Sequence, residues 1–303
     1  MTLQWYLLEA DHDPGTAAET VNRDLPRAGI TKALVFNMPA LAESTGGQTV
    51  QQLGAQLDQI RIGAVESNRV SEIDGEDLFN WNIVNDNHPF VNTSTTDNAV
   101  VQIGMTYALD PFCIGSYVDY NQKFGISANV ARKVEILYGA DVSAQVDGKN
   151  LAIGAIVKDQ ADQDSTGGYI TFTRDAYTAA NNVNNFTTVP IGGQLIGAFC
   201  FETNDTASGQ TALRTANDIQ QQAIAINRKD VAGPVYPDMC KDFNGQYELG
   251  SIGDEGYWFW NFGIRNEVGA IGRPTQDKME IRSLGGSDAG AVRVYAARLN
   301  NNT

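Results

Sequence analysis

The stretch QLDQIRIGAVESNRVSEIDGEDLFNWN, residues 56 to 82, places a short apolar alternation inside a dense group of acidic side chains. Ile60 and Ile62 alternate with polar residues, which is the period-two pattern of a half-buried strand. Three interpretations of this stretch are open: a catalytic carboxylate cluster, a metal-binding loop, or the solvated turn of a structural strand. The acidic residues are Asp58, Glu66, Glu72, Asp74, Glu76 and Asp77.

The spacing of these acidic residues disfavours a metal loop. The segment EIDGEDL lacks the D-x-[DN]-x-[DN]-G spacing and the glutamate at the twelfth position that an EF-hand requires. In Asp11-His12-Asp13, neighbouring side chains of an extended chain point to opposite faces, so only the two aspartates can converge. We predict no cofactor and no metal site within one chain, and leave open a structural calcium ion between subunits.

The rest of the chain is typical of an all-β protein. Short alternating or apolar runs, bounded by Gly, Asn, Asp and Pro, recur about every 8 to 15 residues, as in sandwiches and barrels. The polar stretch 158–168 separates two sets of such runs. The predicted strands are 31–38, 59–65, 99–107, 130–139, 142–148 and 150–158 in the first set, and 168–175, 193–202, 222–228, 256–264, 278–284 and 291–299 in the second.

The two halves also resemble each other in pattern. When the chain is shifted by 164 residues, Ile60 and Ile62 fall on Ile224 and Ile226. At the same shift, Leu34 and Phe36 of ALVF fall on Ala198 and Cys200 of AFCF. One residue further, Asp77-Leu78 falls on Asp242-Phe243. We therefore predict an internal repeat of one fold element.

Composition narrows the class of function. An apolar fraction of 42% in 303 residues is ample for a buried core. The net charge of -15, with no basic run longer than two residues, disfavours direct nucleic-acid binding, because such binding depends on neutralising phosphates. The three cysteines, Cys113, Cys200 and Cys240, are widely spaced and form neither a disulfide framework nor a zinc ribbon.

The N-terminal segment LQWYLLEA, residues 3–10, is apolar but too short to span a bilayer. We expect residues 1–22 to form an arm or a short amphipathic helix that reaches a neighbouring subunit or an internal membrane surface. Its candidate assembly residues are Leu3, Trp5, Tyr6, Leu7 and Leu8.

No motif predicts catalysis. The two histidines, His12 and His88, lie in polar loops that contain proline, and the chain has no G-x-S-x-G elbow, P-loop or G-x-G-x-x-G sequence. We predict that the protein is not an enzyme.

The aromatic run YWFWNF, residues 257–262, is the most unusual local feature. In a strand it is apolar on both faces, which is typical of a strand buried between a sheet and a neighbouring domain or subunit. Trp258 and Trp260 are therefore candidate assembly residues. The alternative is a sugar-stacking platform.

Three segments carry a resemblance to a known family. LDQIRIGAVESNRVSEIDGEDLFNWN, residues 57–82, and its second-half counterpart IQQQAIAINRKDVAGPVYPDMCKDFN, residues 219–244, each combine an alternating strand, a polar turn and an Asp-apolar pair. MEIRSLGGSDAGAVRVYAARLNNN, residues 279–302, is similar to the closing part of that family's second domain, with VRVYAARLN as its last strand. From about residue 23 to 300 the chain resembles the double jelly-roll major capsid proteins of icosahedral, often lipid-containing viruses, the lineage of tectiviruses, corticoviruses and adenoviruses.

The resemblance implies two tandem eight-stranded antiparallel jelly-roll sandwiches with short helices in loops, at 23–160 and 161–303. It further implies homotrimers with a pseudo-hexagonal footprint that tile an icosahedral shell, other capsid proteins such as a penton as partners, assembly in the host cytoplasm, and residence in the virion. Two alternatives stay open: a secreted or surface carbohydrate-binding or carbohydrate-active β-sandwich protein, and an amidase-like enzyme built on paired jelly rolls.

Overall fold

The fold is given by a computed structural model, in which the chain forms two compact units. The first unit is Met1–Thr171 with Asn301–Thr303, and the second is Phe172–Asn300. The division lies a short way after the polar stretch 158–168. The residues described are 3–10, 12, 14, 17–40, 53–65, 68–84, 90–93, 100–109, 125–127, 130–139, 151–158, 168–203, 219–236, 257–261, 271–272, 278–287 and 290–301.

The described elements are almost all strands. Those of the first unit are β1 (Leu3–Ala10), β2 (Glu19–Asp24), β3 (Ile30–Pro39), β4 (Leu57–Val65), β5 (Asn68–Ile73), α1 (Gly75–Val84), β6 (Phe90–Thr93), β7 (Val100–Ala108), β8 (Ile126–Ser127), β9 (Lys133–Tyr138) and β10 (Ala152–Lys158). Those that follow are β11 (Gly168–Thr178), β12 (Asn184–Thr188), β13 (Gln194–Thr203), β14 (Ile219–Ile226), β15 (Lys229–Val235), β16 (Tyr257–Asn261), β17 (Ile271–Gly272), β18 (Met279–Gly285) and β19 (Ala291–Asn301).

Both units have the same strand order. In the first unit one sheet runs β1-β10-β3-β7-β6, with β8 paired to β3, and the other runs β2-β9-β4-β5. In the second unit the sheets run β11-β19-β13-β16, with β17 paired to β13, and β12-β18-β14-β15. When the short strands β6, β8 and β17 are set aside, the described residues of each unit form eight strands in the orders first-eighth-third-sixth and second-seventh-fourth-fifth. This is the antiparallel jelly roll, and the prediction of two tandem eight-stranded jelly rolls is confirmed.

The register supports the predicted repeat. β3 and β13 are the third strands of their units, and β4 and β14 are the fourth strands. Ile60 pairs with Ile136 in β9, and Ile224 pairs with Ile281 in β18. All four side chains are fully buried. The further match of Asp77-Leu78 falls on residues 242–243, which lie outside the described ranges.

The core of each unit is built from the inward residues of its strands. In the second unit, Ala198 and Cys200 of β13 pack in one cluster with Ile224 and Ile281 of the facing sheet. In the first unit Leu34 and Phe36 of β3 are equally buried. Removing this apolar surface from water is the main stabilising contribution, because burial is worth about 25 cal/mol per Å².

Most predicted strands coincide with observed ones, and the segment 142–148 lies outside the described residues. The expectation of an arm or helix at the N-terminus is wrong for residues 3–10. This segment forms β1, which pairs antiparallel with β10, so that Trp5 lies opposite Ile156 and Tyr6 opposite Ala155. The segment lacks the apolar–polar alternation of a half-buried strand, because its exposed side chains, including Trp5 and Leu7, are themselves apolar. The backbone pairing to β10 nevertheless fixes the extended conformation.

Candidate assembly surface

The acidic stretch forms an ion-pair ladder on the outside of a sheet. Arg61 of β4 lies between Glu135 of β9 and Glu72 of β5, its direct cross-strand neighbours. Its Nη1 atom lies 2.5 Å from Oε1 of Glu135, and its Nε atom lies 3.8 Å from Oε2 of Glu72. Cross-strand pairs of opposite charge stabilise a sheet, and this arrangement leaves Glu72 in a structural role.

The remaining described carboxylates of the stretch are dispersed. Asp58 lies on β4, and partial desolvation raises the pKa of its carboxyl group. Asp74 precedes α1, and Asp77 is buried in the first turn of that helix. Glu66 lies outside the described residues. Within the part of the chain that the structure describes, no group of three or more His, Cys, Asp or Glu side chains could hold a metal ion.

Helix α1 closes part of a sheet edge. The Asn82 side chain donates from Nδ2 to the carbonyl oxygen of Thr106 and accepts from the Thr106 backbone N–H, both at 2.7 Å. Thr106 lies in β7 beyond the last residue paired with β6, which is Gly104. An amide side chain thus takes the place of a neighbouring strand, and the edge is protected against unwanted association.

His12 is bracketed by acids rather than placed beside a nucleophile. Its Nδ1 atom lies 3.7 Å from Oε1 of Glu9, and its Nε2 atom lies 3.3 Å from Oε2 of Glu19. Arg23 also contacts Glu9. The imidazole lies 5.3 Å from the Tyr138 ring, and burial raises the pKa of that phenol. This cluster ties β1, β2 and β9 together. His88 lies outside the described residues.

The N-terminal apolar residues form an exposed stripe on an edge strand. Trp5 and Leu7, two residues apart on β1, are each 68% exposed, and Tyr6 is also exposed. Leu8 is half-buried, and the side chain of Leu3 is outside the described part. Among the described strands, β1 is the last at one edge of its sheet, so the stripe lies on an edge strand. A pair of exposed large apolar side chains at such a position indicates a contact surface.

Residues 257–261 of the aromatic run lie in a strand, as predicted, while their side chains are outside the described part. The backbone of β16 pairs with β13, so Trp258 lies opposite Cys200 and Trp260 opposite Ala198. β13 is apolar on both faces: Phe199, on the face away from the core cluster, is fully buried and stacks on Tyr295 at 4.4 Å. This setting favours a structural strand over a sugar platform.

A second exposed apolar edge was not predicted from the sequence. β15 ends the sheet β12-β18-β14-β15, and Val231 is 54% exposed and Tyr236, just after the strand, 46% exposed. Arg228 and Lys229 are exposed at the turn that joins β14 to β15. The sequence KDVAGPVY, residues 229–236, could have identified this edge strand, because isolated apolar residues alternate there with small or polar ones. The Gly-Pro pair obscures it, because proline within a run argues for an edge strand or none.

The two units differ strongly in charge. Residues 1–171 with 301–303 carry 10 basic and 22 acidic residues, a net charge of -12. Residues 172–300 carry 11 basic and 14 acidic residues, a net charge of -3. Most of the chain's acidity therefore belongs to the first unit.

No helix among the described residues is long and apolar enough to cross a membrane.

Comparison by sequence gives no relative: no protein-family model and no curated protein matches the chain. Comparison by structure does. A chain in the atomic structure of Sulfolobus turreted icosahedral virus matches with a TM-score of 0.67 at 10% identity, covering 98% of this chain and 89% of that one. The major capsid protein P2 of bacteriophage PM2 matches with a TM-score of 0.62 at 10% identity, covering 99% and 98%. A chain of the PBCV-1 virus capsid matches with a TM-score of 0.62 at 8% identity, covering 98% and 93%. Together with the repeated strand order, these matches show that the chain has the double jelly-roll fold of viral major capsid proteins.

Proposed function

We propose that the protein is the major capsid protein of an icosahedral virus, a structural subunit without catalytic activity. The observation that carries this proposal is the pair of eight-stranded jelly rolls with one strand order, a fold shared with viral capsid chains over nearly the full length of both partners. The protein then resides in the virion, and its subunits assemble in the host cytoplasm.

The repeat gives a reason for the proposed assembly. Three copies of a chain with two similar units supply six similar bodies, so a closed ring of three has a pseudo-hexagonal outline. Hexagonal outlines tile a surface without gaps. A homotrimer is therefore the oligomer that uses this fold most directly, with lateral contacts between trimers completing the shell.

The polar groups of the described residues support a structural role. Glu72 of the acidic stretch and Glu135 pair with Arg61, Asp74 and Asp77 are buried at the start of α1, and His12 faces Glu9 and Glu19. These groups hold strands together, and their placement supplies no nucleophile–base pair of the kind hydrolytic catalysis uses.

Self-association is the main partnership we propose, with the β1 stripe and the β16 region as contacts. The candidate residues are Leu3, Trp5, Tyr6, Leu7, Leu8, Trp258 and Trp260. A penton protein is a further partner. An internal membrane is less well supported, since residues 1–22 contain Glu9, Asp11, Asp13 and Glu19 and no Lys or Arg, a charge that anionic lipids repel.

The test is the mass of the purified native protein by light scattering or native mass spectrometry. The proposal predicts a trimer of three 32.8-kDa chains. A stable monomer at all concentrations and ionic strengths, particularly one that binds glycans on an array, would contradict it and favour the carbohydrate-binding alternative.

A further inference from the structure

We propose that the β1 stripe of one copy binds the β14–β15 hairpin of a second copy, so that unlike surfaces meet at the contact between subunits. The β1 stripe is defined by Trp5 and Leu7. The hairpin surface is defined by Arg228, Lys229, Val231 and Tyr236. This inference rests on the proposed function and identifies the surfaces that join the subunits.

The two surfaces match in kind. Each lies on the outermost strand of a sheet, β1 in the first unit and β15 in the second. Each carries two large apolar side chains that are about half exposed or more. Bringing them together removes apolar area from water on both sides, which is the dominant favourable contribution to association.

The charges of the two surfaces favour contact between a β1 stripe and a hairpin over contact between two β1 stripes. A contact between two β1 stripes brings together two units that each carry -12. The hairpin instead presents two exposed cations, Arg228 and Lys229. The adjacent Asp230 does not cancel them, because both of its carboxylate oxygens accept from Arg282, at 2.9 and 2.6 Å. Complementary charge of this kind speeds association and suppresses the like-with-like contact.

The hairpin is held ready for binding. Its two-residue turn has Asn227 and Arg228 at φ values of 51° and 65°, the left-handed pair that fits the twist of two antiparallel strands. Asn227 Oδ1 accepts from the backbone N–H of Lys278 at 3.1 Å, and the Arg228 guanidinium lies 5.3 Å from the centre of the Phe186 ring. A surface fixed in this way loses little conformational entropy when it binds.

The geometry of the oligomer follows from the unlike pairing. A contact between identical surfaces closes after two copies, whereas a contact between unlike surfaces leaves one of each free on every pair. Such a contact builds either a closed ring or an open filament, and the proposed homotrimer is the closed ring. A closed trimer satisfies every stripe and every hairpin.

Mixed crosslinking tests the pairing directly. Leu7→Cys and Val231→Cys are prepared as separate proteins in which the native Cys113 and Cys240 are replaced by serine and the buried Cys200 is kept. They are mixed under conditions that exchange subunits and treated with a short bis-maleimide. We expect a crosslinked dimer in the mixture and no crosslinked dimer when either protein is treated alone. Ile191→Cys is the matched control, because Ile191 is 75% exposed in the second unit but lies on the β12–β13 turn. Mixed with Leu7→Cys, it should give no dimer.

A charge reversal gives a second measurement. Arg228→Glu combined with Lys229→Glu should weaken the trimer by about tenfold or more, because the cations of the contact become anions. Arg27→Glu, an exposed change of the same sign in the first unit, should leave the trimer unchanged. If the wild type is a trimer but Leu7→Cys crosslinks to itself, or the mixture gives no dimer, the pairing is overturned while the proposed function stands. A monomeric wild type overturns the proposed function.

Discussion

The fourth strands of the two units share their inward residues and differ in their outward ones. Ile60 and Ile224 occupy equivalent core positions, each opposite a buried isoleucine. The next residue, on the opposite face of each sheet, is the partly buried Arg61 in the first unit and the fully buried Ala225 in the second. Their partners on the neighbouring strand are both glutamates, Glu135 and Glu280. The residues that face the core are alike in the two units, whereas the residues on the opposite face of the sheet differ.

The second unit stabilises its outward acids by a different route. Glu280 is buried and contacts Lys278, whose Nζ atom lies 2.5 Å from its Oε1. Asp230, opposite Ala225, pairs with Arg282. The role of Arg61 on β4 is thus taken in the second unit by two cations, Arg282 on β18 and Lys278 just before β18. Asp230 on β15 and Arg282 on β18 lie on either side of β14, so this ion pair spans the central strand, whereas Arg61 pairs with residues of directly adjacent strands.

A fixed shift along the sequence misaligns the fifth strands of the two units. At a fixed shift of 164 residues, Glu72 falls on Tyr236 and has no acidic counterpart. The register gives Asp230 as the counterpart, since Arg61 pairs with Glu72 and Ala225 with Asp230. The fixed shift fails because the pairing of β14 with β15 is interrupted by register shifts and the two strands are joined by a tight turn. The repeat therefore includes an acid at this position, and its role in both units is cross-strand pairing.

The equivalence of the two cores predicts matched losses of stability. Ile60→Ala and Ile224→Ala should each lower the free energy of unfolding by about 2–5 kcal/mol, because each leaves a cavity at a fully buried site. Urea unfolding measures both changes. Gln220→Ala, at an exposed position on β14, is the control. If one isoleucine proved neutral, the two positions would not be equivalent.

The difference between the outward faces predicts unequal arginine effects. Arg61→Ala leaves Glu72 and Glu135 without their shared cation in a partly buried site, and should cost about 1–3 kcal/mol. Arg282→Ala should cost less, about 0.5–1 kcal/mol, since Asp230 is more exposed to water. Equal losses in urea unfolding would show that the two faces use their arginines in the same way.

The smallest effect concerns Asp58, which lies at a β-bulge between Leu57 and Gln59 that has no match in β14 at this point. Desolvation raises its pKa, so its folded-state pKa lies above the unfolded one. Its contribution to stability is then present below the unfolded pKa and is lost as pH rises through the folded pKa. Asp58→Asn should remove this loss, so that the stability of the variant relative to wild type rises from pH 3 to pH 7, by a small amount because solvent screens this largely exposed group. A wild type that gains stability relative to the variant as pH rises would contradict this sign.

The sequence predicted the central strands well and the edges poorly. β3, β4, β13 and β14 bury a regular set of side chains, so their alternation is visible in the residues. The strands β2 and β12 bury few side chains: the buried residue is Val21 in β2 and the polar Thr187 in β12, so no apolar alternation marks them, and their pairing depends on distant neighbours. The apolar residues of β1 were predicted to form a contact, which stays a prediction, but the conformation predicted for them was wrong. The hairpin surface was missed because its residues become one surface only through the turn.

The central claim is that two like units in each of three chains form one pseudo-hexagonal body. Electron microscopy of the purified oligomer in negative stain tests it most directly. The account predicts particles with a hexagonal outline and three-fold symmetry. Particles with two-fold symmetry, or only single chains, would contradict it.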